Sequence, residues 1–108
     1  AKELSNEKTI NFKIQPNYSC YIPNSFTPNQ DDMNDYFLPK LNGVNGFHMD
    51  IYNKWGVLVF QTNSFDLGWD GKLDSGKMAQ SGVYVVQIST TDLNNKFRKY
   101  SKEINLIH

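Results

Sequence analysis

Residues Val83 to Thr91 read VYVVQISTT, with β-branched or aromatic side chains at seven of the nine positions. Such residues lose side-chain freedom in a helix and pack well on a pleated surface, so this run forms a strand. The other apolar segments follow the same period of two. Thr9 to Gln15 (TINFKIQ) puts Ile10, Phe12 and Ile14 on one face, and Phe47 to Asn53 (FHMDIYN) does so with Phe47, Met49 and Ile51. Val57 to Gln61, Tyr18 to Ile22 and Lys96 to Ile107 read as further strands, the last with Ile104 and Leu106 on one face. Successive strand residues point to opposite faces, so each segment is expected to be half-buried. No window carries a helical period. The single helical expectation is a turn at Asp31 to Phe37, too short to nucleate alone. The chain is therefore all-β, an antiparallel β-sandwich of about seven strands separated by turn signals.

The turn signals have specific jobs. Lys54-Trp55-Gly56 joins two strands into a hairpin, with Gly56 supplying a positive φ. Gly68-Trp69-Asp70-Gly71 and Asp74-Ser75-Gly76-Lys77 are clusters in which Asp closes a turn through its side chain. Asp92-Leu93-Asn94-Asn95 is a hairpin turn, and Pro23 suits a strand end because it has no donor for the ladder. Flanking glycines let Trp69 bend inward, so it is expected to cap the core. Trp55, at a hairpin tip, is either a second cap or an aromatic anchor for a partner.

Size and charge bound the function. A chain of 108 residues fits one domain, and its eleven basic residues balance eleven acidic ones. That balance leaves no electrostatic footprint for nucleic acid. No apolar run approaches the roughly twenty residues of a membrane helix, so direct membrane insertion is not expected. Ala1 to Asn6 is polar and lacks the apolar region of a signal peptide. Residues 1–8 are read as a linker or the end of an upstream region, and residues 9–108 as the domain. The lone cysteine, Cys20, is expected to be a small buried strand residue. His48 falls on the polar face of its strand and reads as a solvated residue. Carboxylates gather at Asp31, Asp32 and Asp35 and again at Asp66, Asp70 and Asp74. A small sandwich rarely offers the deep cleft that paired carboxylates need for catalysis, and no nucleophile elbow, phosphate loop or zinc motif is present. No enzymatic activity and no cofactor are expected.

The segment Tyr21 to Phe37, YIPNSFTPNQDDMNDYF, invites a calcium reading. Asn29, Asp31 and Asp35 offer hard oxygens at alternating positions, the ligand type Ca²⁺ takes. Met33 and Asn34, however, stand where a helix-loop-helix calcium site requires an oxygen and a glycine. The alternative is a structural connection in which Asn and Asp satisfy their own backbone and Phe26 and Phe37 anchor it in the core.

The same segment carries a resemblance. Tyr21-Ile22-Pro23-Asn24-Ser25-Phe26-Thr27-Pro28-Asn29, then Asp31 and Asn34-Asp35-Tyr36-Phe37, is similar to the pattern IPNAFTPNGDGxNDxF. Further blocks follow in order: Ile51 to Gly56 with Val59-Phe60 resembles IFNRWGxxVF, Gly68 to Gly71 resembles GWDG, and Ser81 to Tyr84 resembles SGVY. Thr91 to Asn94 and the closing Ile104 to His108 resemble TDLNGK and GTVTLIR. Gln30 and Asp32 replace two glycines of the first pattern, which weakens any transfer of a metal site. On these blocks the chain resembles the gliding-motility-associated C-terminal domain, the type B sorting domain of the type IX secretion system of Bacteroidetes.

The resemblance implies an immunoglobulin-like sandwich. It further implies a signal that directs a large passenger, a gliding adhesin for example, through the periplasm and the type IX outer-membrane translocon. An outer-membrane partner of the PorP/SprF type would then help export or hold the passenger at the cell surface, and some passengers reach the medium. For such a role the terminal strand and nearby loops are the candidate docking surface: Lys99, Lys102, Ile104, Leu106, Ile107 and His108, with Trp55 as aromatic anchor. The cations Lys96, Arg98, Lys99 and Lys102 have a second reading, the protection of a strand edge against unwanted pairing. The rival class is an adhesion or carbohydrate-binding module using exposed aromatics and Asp/Asn loops.

Overall fold

The computed structural model describes residues 17–28 and 35–107. Seven strands run in order: β1 Ser19–Tyr21, β2 Ser25–Phe26, β3 Lys40–Asn42, β4 Val44–Tyr52, β5 Leu58–Thr62, β6 Gly82–Asp92 and β7 Phe97–Leu106. They form a sandwich of two sheets. One sheet is the antiparallel pair β1-β3, and the other has the order β2-β7-β6-β4-β5. Among the described residues no helix is long and apolar enough to cross a membrane.

The VYVVQISTT run lies at the centre of the large sheet as β6, between β4 and β7. Its alternation decides the core. Tyr84, Val86, Ile88 and Thr90 are buried on the inner face beside Phe47, Met49 and Ile51 of β4 and Ile104 and Leu106 of β7. Leu41 of the small sheet, Phe26 of β2, and Phe37, Trp69 and Ala79 from the connections complete the core. Burying one such side chain contributes roughly 1.5–3 kcal/mol, so the aligned inner faces of three strands supply the main driving force.

Three expectations are corrected. The sheet is not wholly antiparallel: β2 pairs with β7 in parallel, Ser25 opposite Asn105 and Phe26 opposite Leu106. The chain reaches β2 through Pro23 after leaving the small sheet, and it already runs in the same direction as β7, with Tyr18 beside Tyr100, Ile22 beside Lys102 and Asn24 beside Asn105. Residues 35–37 are not helical. Phe37 instead bridges Trp69, accepting its N–H at 3.0 Å and donating to its carbonyl at 2.8 Å. Burial of the Phe37 ring is worth more than one unsupported helical turn. Ile104 and Leu106 are 0 % and 1 % exposed, core residues that offer no side-chain surface in the folded domain. The strand expected at Thr9 to Gln15 lies outside the described residues, as do the linker at 1–8, Asn29, Asp31 and His108.

The motifs have physical reasons. Trp69 lies within 5.3–6.4 Å, centroid to centroid, of Phe26, Phe60 and Tyr84, and its Nε1 donates to the Lys72 carbonyl at 3.0 Å. A Cβ on Gly68 would meet the Phe37 oxygen at 3.0 Å, and one on Gly71 would meet Pro28 at 2.9 Å with φ at +81°. Only glycine lets the GWDG turn close on the IPNSFTP segment. The Tyr84 hydroxyl donates to the Gln80 carbonyl at 2.7 Å. A tyrosine at the start of a strand, tied to the backbone just upstream, is the corner device of immunoglobulin-type sandwiches.

Candidate functional site

Three hairpins share one turn. In each, the first residue's N–H donates to the carbonyl four residues on, and the N–H three residues on returns to its carbonyl: Asn53/Val57/Gly56, Leu73/Lys77/Gly76 and Asp92/Lys96/Asn95. The returning residue has positive φ in every case, +82°, +86° and +66°. This is a tight turn followed by a left-handed residue. At two of them a side chain locks the loop. Asn53 Oδ1 accepts the N–H groups of Trp55 and Val57 at 2.9 and 3.0 Å. Asp92 Oδ1 accepts those of Asn94 and Lys96 at 2.8 and 2.9 Å.

The β4–β5 turn therefore holds Trp55 on a fixed backbone, yet the ring is 72 % exposed, with Lys54 Nζ 4.7 Å from its centre. Trp69, the same residue type, is 0 % exposed. A rigid exposed tryptophan is costly surface unless it meets something, and Trp is enriched at the centres of protein interfaces. Its surroundings extend the patch. A shallow cleft joins Trp55 and Lys54 to Ser81, Gly82 and Val83 at the start of β6. On the outer face Leu58 pairs with Tyr52 and Tyr52 with Val85. Val83 lies opposite Asn105, so the exposed Ile107, two residues on, emerges at the same end. Trp55, Val57, Leu58, Val83 and Ile107 are all exposed apolar side chains there.

Of the expected docking residues, the structure brings together Trp55 and Ile107. Lys99 sits on the outer face nearer the other end of β7, opposite Ser89. Lys102 turns inward and donates to the Ile22 carbonyl at 2.7 Å. Arg98 is committed as well: Nη1 contacts Asp92 Oδ2 at 2.7 Å, and the guanidinium lies 3.8 Å over the Tyr18 ring. Val57, Leu58 and Val83 went unnoticed as surface residues. Their signal was alternation, since each lies on the opposite strand face from a core residue or at a turn.

At the far end of the sheet lies a polar cluster. The Tyr18 hydroxyl shares hydrogen bonds with Thr90 Oγ1 at 2.8 Å and with the Tyr100 hydroxyl at 2.6 Å. Burial, then the Tyr18 hydrogen bond, pushes the Tyr100 hydroxyl up to about 12. Burial also raises the Cys20 thiol. Hydrogen bonds from Lys96, Arg98 and Asn94 hold the Asp92 carboxyl below its ordinary range. These groups are mutually satisfied, which describes a structural clamp.

His48, expected to be solvated, contacts Asn63 and Asp50 on the outer face. Asp70 accepts the Lys72 N–H at 2.9 Å, and Asp66 accepts the Ser64 hydroxyl, so both carboxylates serve turns. Among the described residues no group of three His, Cys, Asp or Glu side chains could hold a metal. Asp35, the one described member of the calcium trio, is half-buried.

The family model CHU_C Type IX secretion signal domain matches residues 20–103. No curated protein matches the chain. One similar solved structure is that of PorZ, described as an essential bacterial surface component of the type-IX secretion system of human oral-microbiomic Porphyromonas gingivalis. The match has a TM-score of 0.51 at 23 % identity and covers 84 % of this chain and 11 % of that one. At that identity the likeness is one of fold.

Proposed function

The chain belongs to the family of type IX secretion signal domains, and from that premise we propose that it directs export of a passenger by docking through the Trp55 end of its large sheet. The single observation that carries the docking reading is the pair of tryptophans: one closes the core, while the other is held out to solvent on a side-chain-locked turn. Val83, Leu58 and Ile107 supply an apolar surround. The passenger is carried through the type IX translocon to the cell surface or medium, and an outer-membrane protein of the PorP/SprF type is the partner that reads the patch. Ile107 and His108, which follow β7 in sequence, contribute to the dock, while Ile104 and Leu106 act by holding the strand in place. No catalytic step is involved.

The test is secretion of a fluorescent passenger fused to the chain in a type IX strain, with and without the partner barrel protein. Export should require the domain. Trp55→Ala should reduce export while leaving the melting temperature of the purified domain unchanged. Equal export of the fusion and the bare passenger would refute the sorting role. Normal export of the Trp55→Ala fusion would refute the docking surface alone.

A further inference from the structure

The two edges of the large sheet are treated differently. On the β7 side the edge strand β2 has only two residues, and the segment from Tyr18 to Phe26 runs along the flank of β7. It is tied there by the Tyr18–Tyr100 contact, by Lys102 to the Ile22 carbonyl, and by the Asn24 and Phe26 carbonyls, which accept the N–H groups of Asn105 and Ile107 at 2.9 and 3.0 Å. That flank also carries Lys96, Arg98, Lys99 and Lys102. Short edge strands, covering segments and cations are the devices by which proteins stop a sheet from growing.

Among the described residues the β5 side has no covering strand and no cation, and a bulge between Leu58 and Phe60 is its single such device. β5 reads Leu58-Val59-Phe60-Gln61-Thr62, without charge or proline. Among the described residues it pairs only with β4. Among the described residues no strand receives the backbone N–H and C=O groups of its far edge, and such groups are a template for another strand. The edge also adjoins the Trp55 patch, because Leu58 begins the apolar row Leu58–Tyr52–Val85 across the outer face. The Trp55 turn leads directly into β5.

We propose that β5 is a strand-addition site: it accepts an extended, uncharged partner segment with apolar side chains at every second residue, and Trp55 closes over the end of that segment. The proposal rests on the docking reading above and specifies how the partner is held. The backbone ladder supplies affinity, and the alternate side chains lying against Leu58 supply selectivity. A charged segment is disfavoured because its side chains would be desolvated beside Leu58 and Tyr52 with no opposite charge on β5.

The experiment places a photocrosslinking residue in turn at Val57, Val59 and Gln61 of the passenger fusion during export. A strand ladder predicts crosslinks to one partner segment, in positions that advance along it in one direction from Val57 to Gln61. A Leu58→Lys/Gln61→Lys variant, which adds the missing edge charges, should lose export and crosslinking. Circular dichroism checks its fold; if the double variant fails to fold, Gln61→Lys alone serves, since that side chain is exposed. Loss of export on deleting the domain, together with normal export of the folded lysine variant, overturns strand addition but leaves the sorting role standing. Crosslinks scattered without order, or landing only on β5 of a second copy, also overturn it.

Discussion

The two tryptophans give the sharpest test of the physical account. Trp69→Ala removes a fully buried indole flanked by Phe26, Phe60 and Tyr84 and orphans the Lys72 carbonyl. Truncating a buried tryptophan costs about 3–5 kcal/mol. The upper part of that range applies, for two reasons. Each aromatic pair adds about 0.5–1.5 kcal/mol beyond its area. The surrounding rings belong to three separate strands, so they cannot easily collapse into the void. Against a total stability of roughly 5–15 kcal/mol for a domain, this loss leaves a marginal fold. Trp55→Ala removes an indole already in water and should change stability by no more than about 0.5 kcal/mol. Urea titration followed by far-UV circular dichroism measures both, because neither variant relies on the missing fluorophore. A Trp55→Ala cost above about 1 kcal/mol would mean the ring caps the core and is no free anchor. A Trp69→Ala cost below about 1 kcal/mol would refute the aromatic closure of the sandwich.

Other consequences follow from single groups. Tyr100 has a folded value of about 12, above the ordinary phenol value of 10.0, so it favours the native state below pH 10, and that contribution should fall away between pH 10 and 12. Tyr100→Phe should flatten this alkaline step in a pH-stability profile. The Asp92 carboxyl is depressed in the native state, so its contribution is complete above the ordinary carboxylate range and is lost as acid titrates it through its lower native value. Asp92→Asn should weaken the acid dependence, read as the melting temperature against pH. Gly71→Ala should cost at least about 1–2 kcal/mol from its left-handed backbone, before the contact with Pro28 is added, in the same urea assay. Calcium and EDTA should leave the melting temperature unchanged, with no heat of binding by calorimetry, because Met33 and Asn34 break the ligand spacing.

The core was legible because alternation reports it directly: every inward residue expected on β4 and the final strand is buried, and β6 alternates as its sequence does. Turn chemistry was legible for the same reason, since Gly56 needs its φ whatever surrounds it. What the sequence hid was relative placement. Ile104 and Leu106 look alike whether a strand lies at an edge or inside a sheet, and only the pairing of β7 with both β6 and β2 makes them core. The parallel β2–β7 pair was equally hidden, because two residues carry no period. Lys102 and Arg98 read as a cationic surface, yet their partners lie 80 and 6 residues away in sequence.

On the docking reading proposed above, the two ends of the sheet divide stability from recognition. The Asp92 end is a closed system: carboxylate and guanidinium pair with each other, two phenols share a hydrogen bond, the guanidinium lies over the Tyr18 ring, and a substitution there should act on folding. The Asn53 end uses the same backbone turn but spends its side-chain bonds only on the backbone, so Trp55 is positioned without being consumed. A sorting domain needs that separation, because its passenger must be recognised by a surface whose chemistry does not depend on what precedes it. The identical turn geometry at both ends makes the separation testable in one molecule. Exchanging Trp55 with Asn94, the exposed residue two positions into the other turn, moves the anchor while keeping the backbone bonds of either loop. Stability should be preserved and export lost. Retained export would show that the exposed ring works from either end, and would remove the reason for placing the dock beside β5.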